Sequence, residues 1–223
     1  MLRCGKSSRF APIHKRLIKM VRAESKTRKT ARRNQVLDAA SLCFVEKGFH
    51  GAGMAEIAKE AQMSTGHIYH YFKNKHAIIA AIVERDGKET LENISSLGDV
   101  PAVEFADSVI STLEERFHSE VTLFASRLNL EILAESRRDP QIEHLVREID
   151  DQKIQLLESI ISEKFNRPDV SDEVDLMITL FAGASSRPLQ KAHDGEARLN
   201  PILVGLIRDL FSAAHKTKLA GAR

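Results

Sequence analysis

The stretch from Met54 to Lys75, MAEIAKEAQMSTGHIYHYFKNK, constrains this chain more than any other, because its spacing spells two short helices joined by a tight turn. Ile57 and Ala58, with Ala61 three to four positions on, give the inward face of a first short helix. Gln62-Met63-Ser64 is the turn, and the Ser64 hydroxyl is placed to accept from a backbone N–H in the first turn of a second helix. In that second helix only Ile68 and Phe72, spaced i and i+4, form an apolar stripe. Thr65, Gly66, His67, Tyr69, His70 and Tyr71 are left facing outward, so the stretch is predicted to be a helix-turn-helix whose second helix is free to read a partner.

The rest of the chain is predicted to be helical as well. Val36, Leu37, Ala40, Phe44 and Val45 recur at helical spacing over about 30–47, and Gly48 ends that helix. Asn74 can cap a further helix reaching about 94, with Ile78, Ile79, Ile82 and Val83 locked against the motif. After a turn-rich break at 95–99, amphipathic helices are predicted near 101–118, with Pro101 at its first position, and near 121–137, 140–165, 171–191 and 200–216. Caps and prolines at Arg138-Asp139-Pro140 and Asn166-Arg167-Pro168-Asp169 set these limits. With no strand-like alternation, the fold class is all-α.

Charge is distributed unevenly. Residues 1–33 hold twelve Lys or Arg against one acid, Glu24, while the remainder is net acidic by nine charges, so one end suits a polyanion and the other does not. Residues 1–27 are expected to be a basic, flexible arm, whereas Arg28, Lys29, Arg32 and Arg33 lead into the first helix and can lie on phosphate. There is no apolar run of 18 residues and no secretory apolar core, so a cytoplasmic protein with no membrane partner is expected. Cys4 and Cys43 are too few for a disulfide framework, and no Cys/His spacing fits zinc. Neither metal nor cofactor is expected.

The segment 30–83, TARRNQVLDAASLCFVEKGFHGAGMAEIAKEAQMSTGHIYHYFKNKHAIIAAIV, resembles the DNA-binding domain of the TetR family of transcriptional regulators. The resemblance rests on the Gly-Phe turn, Ile-Ala in the first motif helix and Ser-x-Gly-x-Ile-Tyr-x-Tyr-Phe-x-Asn-Lys, and it covers about a quarter of the chain. Three positions depart from the family pattern: Gln62 replaces Gly, Gly53 replaces Thr or Ser, and His76 replaces an acid. The resemblance implies that Thr65, Gly66, His67, Tyr69, His70, Tyr71 and Lys75 touch operator DNA, joined by Arg28, Arg32 and Arg33 on phosphate. It divides the chain into an arm over 1–27, a helix-turn-helix domain over 28–76 and a helical ligand-binding and dimerisation domain over 77–223.

In that family the C-terminal helices enclose a small molecule, which implies an effector here. Candidate lining residues on apolar faces are Phe105, Leu113, Phe117, Phe124, Leu128, Ile132, Met177 and Phe181, each of a kind that more often forms ordinary core than a ligand contact, because pocket and core walls share one composition. Arg127, Asn129 and Glu131 form a polar cluster within the same region, of which Glu131 is the candidate to meet a ligand. Ile178, Gly183, Leu203, Leu206 and Leu210 belong to two apolar helices with more surface than one chain needs, so a homodimer is expected. Adjacent carboxylates such as Glu114-Glu115 and Asp150-Asp151 splay apart on a helix, and no catalytic site is expected. The resulting expectation is a repressor released from a palindromic double-stranded operator by a small molecule. The alternative is a DNA-binding regulator without a small-molecule pocket, controlled by a protein partner.

Overall fold

The computed structural model describes residues 11–118, 120–186 and 201–211; the side chains of 11–27, 115–118, 120–123 and 184–186 lie outside the description. Among the described residues there are nine α-helices and no strand, so the all-α expectation holds. They are α1 (Ala11–Gly51), α2 (Met54–Glu60), α3 (Thr65–Tyr71), α4 (Lys75–Ser96), α5 (Phe105–His118), α6 (Glu120–Ser136), α7 (Pro140–Phe165), α8 (Ser171–Ser186) and α9 (Pro201–Leu210). A single 3-10 turn, Leu97–Asp99, fills the break after α4.

Several limits differ from the spacing argument. Helix α1 begins upstream of the expected start at 30, since the chain between Pro12 and Gly48 contains neither glycine nor proline to stop it. Gly48 does not end α1 outright but kinks it, with φ 75° and ψ 162°, before one last turn. Pro101 opens a turn rather than α5, because Val103 is almost fully exposed and the first anchored residue is Phe105. The expected bend at Arg187-Pro188 and the ends at 191 and 216 lie outside the described residues.

Two apolar clusters hold the fold. Val36, Leu37, Phe44, Ile57, Ile68, Ile78 and Ile82 form the first, and Leu128, Ile132, Ile142 and Ile149 from α6 and α7 continue it. It therefore runs across the expected boundary at 76. Phe105, Leu113, Leu157, Ile161, Val174, Met177, Leu210 and Phe211 form the second, from α5, α7–α9 and the residue that follows α9. Each such side chain contributes about 1.5–3 kcal/mol on burial, so a dozen in one cluster outweighs any single polar contact described below. Helix α4 spans both regions by packing on α7, closely enough that Gly87 faces Ile149: a Cβ at 87 would sit 2.6 Å from its Cδ1. No helix among the described residues is long and apolar enough to cross a membrane.

Candidate nucleic-acid interface

Helix α3 is capped as its sequence demands, with the backbone N–H of His67 donating to the Ser64 Oγ at 3.3 Å. Ile68 is its one buried residue, and the buried Phe72 closes the helix. Gly66, His67, Tyr69 and His70 are exposed, Tyr69 to 52%, and Thr65 and Tyr71 are half-buried. Nothing lies within 4 Å of where a Cβ at Gly66 would be, so the fold itself leaves that surface clear for close approach. The rings of His67 and His70 lie 5.4 and 5.3 Å from that of Tyr71, which restrains both imidazoles on one face.

The turn before α3 takes the left-handed conformation at Gln62, φ 52°, in a place where Gly would carry no steric penalty. Its geometry is held from α1, where Gln35 Nε2 donates to the Ala61 carbonyl at 2.8 Å and Gln35 Oε1 accepts from Arg32 Nη1 at 2.9 Å. Gly53 offers no capping hydroxyl to α2, yet half of the capping arrangement survives. The Glu56 carboxylate accepts from the Gly53 N–H at 3.0 Å and from Lys47 Nζ. Those contacts, the lysine first, hold the Glu56 carboxyl below its ordinary range.

The basic candidates separate. Arg28 and Arg32 are exposed on α1, and the Arg33 guanidinium lies over the Phe72 ring, 5.0 Å from its centroid. Lys75 turns inward instead of standing free for phosphate. Its ammonium donates to the carbonyls of Phe49, His50 and Ala52 and lies 4.5 Å from the centre of the Phe49 ring. An ammonium has three protons, and these three acceptors occupy them all. Burial draws the Lys75 amine below its ordinary value, with the Glu135 charge opposing that shift. The lysine thus caps the end of α1, a role no residue count distinguishes from a phosphate contact.

Behind this end of the domain lies a junction that sequence spacing did not single out. Glu131 is the one member of the Arg127, Asn129, Glu131 cluster turned inward, and its carboxylate accepts from the Phe49 N–H at 3.0 Å instead of facing a ligand space. One turn further on, Glu135 has only 3% of its side chain exposed, between His50 Nε2 at 3.3 Å, His76 Nε2 at 3.7 Å and Arg138 Nη1 at 3.7 Å. The signal was present in α6, where Leu128, Glu131, Ile132 and Glu135 fall at i, i+3, i+4 and i+7 on one face. Among the described residues no group of three or more His, Cys, Asp or Glu is placed to hold a metal.

The candidate lining residues do not converge. Phe105, Leu113, Met177 and Phe181 belong to the second cluster, while Phe124, Leu128 and Ile132 pack into the first, against the helix-turn-helix domain. The Phe117 side chain lies outside the described residues. A surface cleft of 490 Å³ on α5 is lined by Asp99, Val100, Pro101, Glu104, Asp107, Ser108 and Ser111, none of them a candidate. Of the candidate dimer residues, Leu206 and Gly183 are exposed, Ile178 and Leu203 are half-buried, and Leu210 faces the chain's own core, a correction set by the phase of α9.

Residues 36–82 match the family model described as "Bacterial regulatory proteins, tetR family", which brackets the core of α1 through most of the first half of α4. Residues 36–82 therefore form a TetR-type DNA-binding domain. The HTH-type transcriptional regulator UidR of Escherichia coli K12 is 34% identical over 111 residues, 49% of this chain and 54% of that protein. The chain spans about half the length of the curated relatives it matches. Among solved structures, Salmonella enterica GusR superposes with a TM-score of 0.62 at 24% identity, covering 83% of this chain and 96% of that one. The regulator FadR from Bacillus subtilis, in complex with stearoyl-CoA, gives 0.58 at 21%, covering 79% and 94%. At these identities the likeness to solved structures is one of fold, and it places the TetR-type domain ahead of a helical body.

Proposed function

We propose that this protein is a homodimeric TetR-family transcriptional regulator of the cytoplasm, without enzymatic activity, which represses from a palindromic operator and is released by a small molecule. The observation that carries the DNA-binding half is α3: one buried residue, an open backbone at Gly66, and Tyr69, His67 and His70 outward. A helix of that kind fits the major groove, with its polar side chains at base edges. Arg28 and Arg32 supply phosphate neutralisation, and Arg33 shares its charge with the Phe72 face. The exposed Ile202 and Leu206, one turn apart on α9, support a second copy packing there. For the effector, an apolar ligand is favoured by the shared fold of Bacillus subtilis FadR, whose solved structure holds stearoyl-CoA.

Selection of bound duplexes from random DNA, followed by footprinting, tests this reading. It should return an inverted repeat, with affinity falling steeply as salt rises, and Tyr69→Ala should abolish discrimination between that repeat and scrambled DNA. Failure to enrich any sequence would sink the proposal. A thermal-shift screen then addresses release: stabilisation by apolar small molecules supports it, and none across a broad set argues for control by a protein.

A further inference from the structure

The face of α6 that meets the helix-turn-helix domain mixes two kinds of contact. Leu128 and Ile132 are buried in the first apolar cluster, and such packing is non-directional, tolerating rotation of one body against the other. Glu131 and Glu135 interleave with them and are directional. Glu131 receives the Phe49 N–H, beside the kink at Gly48, where a Cβ would lie 3.5 Å from its Oε2. Glu135 is sealed from solvent, and its Oε2 has no hydrogen-bond partner among the described residues, only His50 and Arg138 at ion-pair range. The charged and titratable groups facing this pair are His50 from α1, Lys75 and His76 from α4, and Arg138 and Asp139 from the α6–α7 turn. A buried, incompletely bonded carboxylate costs stability, so its effect must lie elsewhere than in holding the fold.

We propose that Glu131 and Glu135 are positioning residues that fix the angle of the helix-turn-helix domain on the body, and thereby the half-site spacing the dimer accepts. Both contacts fall on one short segment: Phe49 and His50 follow the Gly48 kink, and Lys75 ties the carbonyls of the same segment to the start of α4. Movement of α6 therefore reaches α3 through the end of α1 and the start of α4. In a dimer the two recognition helices must meet major grooves a fixed number of base pairs apart. One added base pair turns the second half-site by about 34° and shifts it about 3.4 Å. A loosened joint would follow that change where a fixed one cannot.

This inference rests on the dimeric operator-binding reading, and two variants test it. Glu131→Gln keeps an oxygen to receive the Phe49 N–H, whereas Glu131→Ala removes it. Affinity is measured on the selected operator and on versions with one base pair added or deleted between half-sites. Wild type and Glu131→Gln should lose on the order of tenfold, about 1.4 kcal/mol, on the altered spacings. Glu131→Ala should bind the native operator less tightly but lose under about threefold on the altered ones, a flattening that simple destabilisation does not produce. Equal spacing penalties in all three proteins would overturn the proposal. Should wild type select no DNA, the regulator reading fails and the joint is judged separately. Spin labels at positions 73 and 151, with labelled chains diluted into unlabelled ones, should then give a distance distribution that broadens in Glu131→Ala and stays narrow in Glu131→Gln. An unchanged width in Glu131→Ala would overturn it.

Discussion

At the scale of single residues, identity and orientation carry different information. Ser64, Asn74 and Asp139 are capping residues by type and position, and each accepts the backbone N–H that its place in the chain foretells. Lys75 is legible only as a cation near the motif; that it folds back onto Phe49, His50 and Ala52 depends on where the end of α1 lies, 25 residues away in sequence. Lys75→Met should therefore destabilise the protein by about 1–3 kcal/mol in urea unfolding, as loss of charged hydrogen bonds does. The slope of log affinity against log salt should stay at its wild-type value, since no phosphate contact disappears. Glu56 gives a pH prediction. Its carboxyl is held low in the fold, so its contribution is present above the ordinary carboxylate range and is lost as pH falls through the depressed folded value. Glu56→Gln should flatten the fall in melting temperature expected for the wild type between about pH 5 and pH 3.

At the scale of elements, helical faces are readable from spacing while their partners are not. The 3.6-residue period identifies Phe105, Leu113, Leu128, Ile132 and Met177 as inward-facing, and all five are buried. It does not reveal that Leu128 and Ile132 meet the DNA-binding domain while the others meet α7, α8 and α9, because that depends on how α6 crosses α1. The same limit hid the partners of Glu131 and Glu135, which come from α1, α4 and the α6–α7 turn. Glycine 87 shows what crossing geometry adds. In sequence it is a helix-weakening residue inside α4, worth about 1 kcal/mol against alanine. In the fold it is a point of close approach between α4 and α7, with Ile149 Cδ1 and Cγ2 at 2.6 and 2.9 Å from a would-be Cβ. Gly87→Ala should thus lower stability by about 1–3 kcal/mol despite its better propensity. Adding Ile149→Val should recover part of that loss, measured as a double-mutant cycle in denaturant.

For the whole molecule, the first apolar cluster is the decisive feature. It takes Leu128, Ile132, Ile142 and Ile149 from the body into the core of the helix-turn-helix domain. A fragment of residues 28–76 lacks these and also Ile78, Ile79 and Ile82, so it should show little helical signal by circular dichroism and no cooperative melt. A fragment ending after α7 should melt cooperatively. The family model, matched over 36–82, ends inside this shared core and not at a natural edge of it.

That sharing limits what can be exchanged. A chimera that grafts this DNA reader onto a different effector body would inherit its specificity only if the new body presents the same four-residue rhythm, apolar, acid, apolar, acid, toward Phe49, His50 and His76. Without it, the reader would arrive intact and aim in the wrong direction.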